Sequence, residues 1–276
     1  MVLVVLLAGM LALAVSAPFL TRALGRDAGY PLAAGFAAGG LVVATQAPGV
    51  LAGRPVQADL PWIPGLGVRL HLTLDGLALV FALLVLGVGV LVMTYSARYF
   101  ASDTRPGRAY GLLTLFAVSM LGLVLADDVL VLFVFWEITT VCSFFLIGNR
   151  GEPVAKPATR ALLVTGLGGL ALLAGLVLAG VVTGSFELRT ILVDPGAVRA
   201  SGLAPVIGAL IVLGCLTKSA QVPFHFWLPG AMVADTPISA YLHAATMVKP
   251  GSTCWPGSPR SSRAARAGCT RWCWSG

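Results

Sequence analysis

The chain has 276 residues, of which 58% are hydrophobic and 11% are charged, and its mean hydropathy is +0.92. Soluble domains carry about 25% charged residues, so this composition excludes an ordinary water-soluble domain. The formal net charge of +7 is typical of nucleic-acid binders among soluble proteins, but the hydropathy excludes that class too. The composition indicates a polytopic helical membrane protein.

Apolar segments long enough to cross roughly 30 Å of hydrocarbon recur along the chain. They predict seven to eight transmembrane helices in an all-α bundle. The first segment is expected to be a retained helix, because no basic residue precedes it as in a signal peptide. The segments lie at 2–20, 31–51, 77–95, 110–126, 129–148, 161–184 and 204–228, and an eighth begins near 237.

The basic residues of the loops predict the orientation of the bundle. Loops 21–29, 96–109 and 149–160 hold eight Lys and Arg residues, whereas the loops on the opposite side hold four. Because positively charged loops stay in the cytoplasm, we expect a multi-pass protein of the cell membrane with its N-terminus outside. The Pro- and Gly-rich segment 52–76 is then an external loop, with Trp62 at the membrane interface.

The last 27 residues differ sharply from the rest of the chain. Residues 250–276 contain four Arg, no acid, three of the five Cys and three of the six Trp, and without them the net charge falls to +3. Adjacent Cys and Trp codons give Leu and Val when they are read in a shifted frame. We therefore predict a frame-shifted tail that forms no domain. The alternative is a genuine disordered basic tail.

Glu137 interrupts the fifth apolar segment. A carboxylate in hydrocarbon is expensive, so an ionisable residue inside a span is by default a candidate functional site. The alternative is a structural hydrogen bond between two helices. Two further acids, Asp127 and Asp128, stand at the start of the same span. They could gather cations, but acids at a helix start are more often caps.

Lys218 lies inside the seventh segment, five residues before Pro223. Proline removes a backbone donor, so this helix is predicted to break, and freed backbone at membrane depth requires an internal polar cavity. The alternative, a lysine that snorkels from a helix end, is disfavoured because apolar residues flank Lys218 on both sides. His225 follows the proline and His243 lies in the next span; an imidazole titrates near pH 6.5 and can pass protons on, although a packing role is the simpler interpretation.

Glu137 and Lys218 are predicted to form a switchable pair. Closeness of the two groups favours both charged forms, whereas separation in apolar surroundings favours the neutral ones. A pair that alternates between these arrangements would move protons in steps.

The sequence contains no pattern typical of a metal or cofactor site, and neither is predicted. Cys142 and Cys215 lie inside apolar spans and are interpreted as buried packing residues. Small residues let membrane helices approach closely, and this is the predicted role of four glycines in the sixth span: Gly166, Gly168, Gly169 and Gly175.

Three runs of the sequence resemble the proton-translocating antiporter-like family. That family includes the large membrane subunits of respiratory complex I and the A subunit of the Mrp multisubunit Na⁺/H⁺ antiporter. Lys249 makes the chain more similar to the Mrp branch, since the complex I counterpart more often has Thr there. The runs are Phe-Trp-Glu-Ile-Thr-Thr-Val-Cys-Ser-Phe-Phe-Leu-Ile-Gly (135–148), Thr-Lys-Ser-Ala-Gln-Val-Pro-Phe-His-Phe-Trp-Leu-Pro (217–229) and Thr-Pro-Ile-Ser-Ala-Tyr-Leu-His-Ala-Ala-Thr-Met-Val-Lys (236–249).

The resemblance implies roles for individual residues. Carried over by motif, Glu137 and Lys218 are the proton-relay pair, and the accessory members are His225, His243 and Lys249. It also implies a division of the chain into four N-terminal spans over 1–126 and the first half of a proton-translocating helical repeat over 127–249, cut short in its last helix. Gly230 and Asp235 depart from the family pattern without touching the pair.

Three functions remain open from the sequence. The first is a non-enzymatic subunit that exchanges Na⁺ for H⁺ within a hetero-oligomeric antiporter, with the other subunits and the lipid bilayer as its partners and no nucleic acid. The second is a proton-pumping membrane subunit of an NADH:quinone oxidoreductase or a membrane hydrogenase. The third is an inactive truncated fragment.

Overall fold

A computed structural model describes residues 1–63, 68–100, 106–150, 154–193 and 195–242. These ranges are mainly helical, with one pair of strands. The elements in chain order are α1 (Val2–Leu24), α2 (Gly29–Leu51), β1 (Val56–Ile63), β2 (Val68–Leu74), α3 (Gly76–Tyr99), α4 (Pro106–Leu125), α5 (Val129–Ile147), α6 (Ala155–Thr183), α7 (Leu188–Val193), α8 (Pro195–Ala200), α9 (Ala204–Lys218), α10 (Trp227–Ala231) and α11 (Thr236–Ser239).

Five continuous helical stretches in the described ranges are long and apolar enough to cross a membrane. The first of them, 2–51, contains two helices, because a 3₁₀ turn over Gly25–Ala28 folds α2 back along α1. Gly25 makes this reversal with φ +59°, a backbone conformation that glycine adopts without strain. Gly35 then lies against Leu13, and Gly39 lies against Leu6, so the two helices run antiparallel.

Helix α4 lies at the centre of the bundle. It contacts α1, α3 and α5 and is buried over most of its length. The helices around it present apolar side chains outwards instead, as at Leu41, Leu91 and Leu167, each more than two-thirds exposed. Apolar side chains on the outside of a helical bundle match a lipid environment. The predicted multi-pass helical bundle is confirmed.

The segment predicted as an external loop contains a two-stranded antiparallel hairpin. Strands β1 and β2 pair from Val56 opposite Leu74 to Leu60 opposite Leu70. Alternate apolar residues are buried, such as Ala58 and Leu72. This period of two is the pattern of a strand with one buried face, and a hydropathy profile taken over a helix length does not reveal it.

An ion pair joins the two strands on the exposed side of the hairpin. Arg69 donates from Nε to Oδ1 of Asp59 over 2.9 Å and from a second nitrogen to Oδ2 over 2.5 Å. The hydrogen bond from Arg69 lowers the pKa of the Asp59 carboxyl, and the same bond raises the pKa of the guanidinium. Because both side chains are exposed, this pair contributes little to stability.

The hairpin is attached to the junction between α4 and α5. The backbone N–H of Asp127 donates to the carbonyl oxygen of His71 over 3.0 Å, and Leu72 forms an isolated bridge with Ala126. The Thr73 hydroxyl donates to the Asp127 carboxylate over 3.0 Å. The hairpin therefore fixes the point at which the fifth helix begins.

The seventh predicted span is discontinuous, as the sequence predicted. Helix α9 ends at Lys218, residues 219–223 are not helical, and a 3₁₀ turn over Phe224–Phe226 leads into α10. The eighth predicted span begins with α11. Most of that span, with His243 and Lys249, and the predicted frame-shifted tail 250–276 lie outside the described residues.

Candidate functional site

The ammonium group of Lys218 is fully buried and lies against one face of α5. Its Nζ donates to the hydroxyl oxygens of Thr139 and Thr140, over 2.7 and 2.8 Å, and to the carbonyl oxygen of Trp136 over 3.3 Å. Nζ also lies 5.0 Å from the centre of the Trp136 ring, within the range of a cation–π contact. These acceptors lie inside the protein, so Lys218 does not snorkel to a surface.

The three acceptors lie on one face of α5 because of their spacing. Thr139 and Thr140 follow Trp136 by three and four residues, which places all three above one another on a helix. Both hydroxyls donate to the Trp136 carbonyl oxygen, over 2.7 and 3.2 Å, and accept from Lys218 with their lone pairs. The Lys218 nitrogen and the oxygen atoms of this cluster therefore all have partners, as buried polar groups require. The indole nitrogen of Trp136 is buried and has no hydrogen-bond partner among the described residues.

The Glu137 carboxylate lies beside the Trp136 ring of this cluster, because both meet Gly169 on α6. Glu137 is the next residue after Trp136, and it lies against α6, where a Cβ atom added to Gly169 would collide with its Oε1 atom. That oxygen is buried and accepts no hydrogen bond from the described residues. Glu137 and Lys218 both belong to the described residues, and no nitrogen–oxygen distance of 4.0 Å or less joins them as an ion pair. The two predicted relay residues therefore lie on neighbouring sides of α5 and form no ion pair. Glu137 belongs to α5 itself, and Lys218 reaches α5 from the end of α9.

Glycines of α6 allow both neighbouring helices to come close. A Cβ atom added to Gly168 would collide with the Thr217 hydroxyl, and one added to Gly175 would lie 2.9 Å from the Cγ1 atom of Ile211 on α9. Gly169 faces α5 in the same way. The predicted packing role is confirmed for these three glycines, whereas Gly166 faces open space. Helix α6 therefore holds α9 and α5 in the positions that bury Lys218.

The break after α9 is closed by Trp227. This tryptophan is fully buried, and its indole N–H donates to the carbonyl oxygen of Thr217 over 2.9 Å. Within the break, Ala220 has a left-handed φ of +51°, and the N–H of Gln221 donates to the Leu216 carbonyl over 3.0 Å. The backbone freed by the end of the helix thus regains hydrogen bonds inside the protein.

Two other residues singled out in the sequence, His225 and Asp128, lie outside the Lys218 cluster. His225 lies in the 3₁₀ turn after the break and is exposed, so it does not join Lys218 and Glu137. Asp128 caps α5 by accepting from the N–H groups of Leu130 and Val131, over 2.8 and 3.1 Å, which confirms the cap interpretation. Within the described ranges, no three His, Cys, Asp or Glu side chains lie close enough together to hold a metal ion.

The two cysteines inside the bundle are buried and form no disulfide. This agrees with the packing role predicted for Cys142 and Cys215. Thr139, Thr140 and Trp227 were not among the site residues predicted from the sequence. A weak signal for all three was present, because they are polar or hydrogen-bonding side chains inside the same runs that hold Glu137 and Lys218.

A bundle of apolar helices with a buried lysine at a broken helix defines a membrane protein with an internal polar site. A family model described as NADH:quinone oxidoreductase/Mrp antiporter, transmembrane, matches residues 126–254. A second, described as NADH-ubiquinone oxidoreductase (complex I), chain 5 N-terminus, matches residues 62–108. The chain belongs to this family of membrane subunits, which confirms the resemblance seen in the sequence.

Two curated relatives are antiporter subunits. The chain is 45% identical over 213 residues to a probable K⁺/H⁺ antiporter A/B subunit of Rhizobium meliloti, which covers 76% of this chain and 21% of the relative. It is 45% identical over 202 residues to the Na⁺/H⁺ antiporter A subunit of Alkalihalophilus pseudofirmus, which covers 72% of this chain and 25% of the relative. The chain therefore spans about a fifth to a quarter of the length of these relatives.

Two solved structures share the fold. A chain of the Mrp complex from Dietzia sp. DQ12-45-1b matches with a TM-score of 0.84 and 51% identity, over 92% of this chain and 28% of that one. A chain of the membrane-bound sulfane sulfur reductase, an archaeal respiratory membrane complex, matches with a TM-score of 0.78 over 91% of this chain and 51% of that one. The second match has 23% identity and shows the fold alone.

Proposed function

We propose that this chain acts within the A subunit of a multisubunit Na⁺/H⁺ antiporter and relays protons through Glu137 and Lys218. The observation that carries the proposal is the burial of Lys218 at a broken helix, beside the helix that bears Glu137. Burial of an ionisable group inside a membrane span costs free energy, so such a group is by default a candidate functional residue. The names of the two curated relatives support exchange of a monovalent cation for protons, with Na⁺ as the proposed cation and K⁺ as the alternative.

The proposed relay uses the two groups in sequence. The Glu137 oxygen that accepts no hydrogen bond from the described residues can take up a proton. Lys218 then passes its proton to the proposed accessory relay residues, which are His225, His243 and Lys249. Movement of the ammonium towards or away from Glu137 changes how firmly each group holds its proton. The proposed partners are the other antiporter subunits in the cell membrane, with the N-terminus of this chain outside.

The test measures exchange by the assembled complex in everted membrane vesicles. Lys218→Ala and Glu137→Ala are each expected to abolish the Na⁺-dependent collapse of a pH gradient, because each removes a proton carrier. Lys156→Ala is the matched control, since this lysine is exposed at the start of α6. Exchange at the wild-type rate by either relay variant in a fully assembled complex would show that the assignment is wrong.

A second function is a proton-pumping membrane subunit of an NADH:quinone oxidoreductase or a related membrane hydrogenase. The family model matched by residues 62–108 favours it, because that model describes a complex I chain. The two functions differ in their energy source. Exchange driven by a Na⁺ gradient in vesicles without NADH supports the antiporter, whereas proton movement that requires NADH oxidation supports the second function.

A further inference from the structure

Helix α5 presents two different sets of oxygen atoms to the polar interior. One set consists of the Thr139 and Thr140 hydroxyls with the Trp136 carbonyl, and it holds the Lys218 ammonium. The other set is the carboxylate of Glu137, whose Oε1 atom accepts no hydrogen bond from the described residues. The first set is neutral, whereas the second can carry a full negative charge.

The number of acceptors in the neutral set matches the charged form of the lysine. An ammonium group has three N–H donors and no acceptor. The structure gives it three oxygen acceptors, and no donor in the set opposes it, because both hydroxyl hydrogens are directed to the Trp136 carbonyl. The hydrogen-bonding capacity of the ammonium is thus filled without a carboxylate in contact.

We propose that Thr139 and Thr140 are positioning residues for Lys218. Together with the Trp136 carbonyl, their hydroxyls form a binding position for the ammonium, here called the seat, that is separate from Glu137. The inference deepens the proposed function and rests on it. The two hydroxyls compete with the carboxylate for the same ammonium, and this competition prevents a permanent ion pair between Lys218 and Glu137. A permanent pair would hold the proton on Lys218 and stop the relay.

Removal of the hydroxyls leaves the ammonium without two of its three acceptors. A buried cation without acceptors is strongly unfavourable, so Lys218 is expected to move to Glu137. Among the described residues, the titratable groups that interact electrostatically with Lys218 are Glu137 and Cys142, both on α5. Gly168 of α6 and Trp227 of α10 also meet the end of α9, and neither titrates. The 3₁₀ turn Phe224–Phe226 packs against α9 as well, and its titratable residue, His225, is exposed.

The experiment compares the Thr139→Val/Thr140→Val double variant with wild type in the assembled complex. Valine keeps the shape of threonine and removes the hydroxyl. The exchange rate is expected to fall at least about tenfold, which is the effect of losing one hydrogen bond to a charged group. The pH profile of exchange is expected to shift towards alkaline pH, because an ammonium paired with a carboxylate gives up its proton at higher pH.

Two further variants separate positioning from simple structural damage. Thr139→Ser/Thr140→Ser keeps both hydroxyls and is expected to restore the wild-type rate and pH profile. Thr114→Val is the matched control, because Thr114 is also fully buried and its hydroxyl donates to the Tyr110 carbonyl, away from Lys218. Rates are taken per assembled complex, and the single valine variants replace the double variant if it does not assemble.

The outcomes distinguish this inference from the proposed function. If Lys218→Ala is inactive while the valine variants keep the wild-type rate and pH profile, the seat is wrong and the relay stands. If serine does not restore what valine removes, the hydroxyls are not the cause and the seat is wrong. If Lys218→Ala exchanges at the wild-type rate, the relay fails and the seat fails with it.

Discussion

The indole N–H of Trp227 donates to the carbonyl oxygen of Thr217 over 2.9 Å, across the break between α9 and α10. In an unbroken helix this carbonyl would accept from the N–H of Gln221, which here donates to Leu216 instead. Because Thr217 directly precedes Lys218, the bond fixes the backbone that carries the ammonium. The tryptophan after the break is thus part of the support for the buried lysine.

Trp227→Phe is expected to weaken this support. Phenylalanine fills most of the same space but cannot donate, so the Thr217 carbonyl loses one partner in a buried position, at a cost of about 1–3 kcal/mol. Thermal unfolding of the purified complex measures the effect. Trp62→Phe serves as control, because Trp62 is 45% exposed on the hairpin. Equal melting temperatures for the two variants would contradict the role given to Trp227.

Gly168→Ala is expected to destabilise the contact between α6 and α9. The new Cβ atom would collide with the Thr217 hydroxyl and lie 2.7 Å from the Thr217 Cβ, so the helices must separate, at a cost of about 1–3 kcal/mol. Gly166→Ala on the same helix meets no atom within 4 Å and is the matched control. It should be neutral or slightly stabilising, since alanine favours helix more than glycine. A reversed order of melting temperatures would disprove the predicted packing.

Gly169→Ala is expected to act on exchange more than on stability. The added Cβ atom would collide with the Glu137 Oε1 atom, which is the mobile end of a side chain and can rotate away. The carboxylate would then leave its present position against α6. Under the proposed relay, the exchange rate falls while the melting temperature stays near that of wild type. A loss of stability as large as that of Gly168→Ala would show that Glu137 cannot rotate or that the buried Trp136 ring, 3.2 Å from the added Cβ atom, cannot shift.

Asp128→Ala is expected to destabilise the start of α5. Its carboxylate accepts from the backbone N–H groups of Leu130 and Val131, and loss of such a cap costs about 1 kcal/mol. Asp128→Asn keeps the accepting oxygen and should retain most of the stability. The thermal unfolding of both variants is compared at neutral pH. If asparagine costs as much as alanine, the charge and not the cap is responsible.

Much of the fold follows from local features of the sequence. The length of the apolar segments predicts the helices, and Pro223 predicts the break, because both are properties of a single segment. Glu137 and Lys218 stood out for the same reason, as charges in otherwise apolar runs. The hairpin was missed because its alternating pattern occupies short strands in a Pro- and Gly-rich region.

The geometry around Lys218 could not be predicted from single segments. Thr139 and Thr140 lie 79 and 78 residues before it in the chain, and their contact depends on how α6 brings α5 and α9 together. The direction of the Glu137 side chain depends on the space that Gly169 leaves on α6. Such contacts are set by the packing of three helices, which sequence patterns in each helix do not specify.

The end of α9 at Lys218 also contributes to the electrostatic field at the ammonium. Aligned peptide dipoles give a helix C-terminus the equivalent of about half a negative charge, which favours a cation in the last turn. Lys218 is the basic residue of that last turn. Part of the attraction on the ammonium therefore comes from backbone dipoles that never titrate, and it stays constant while Glu137 gains or loses a proton.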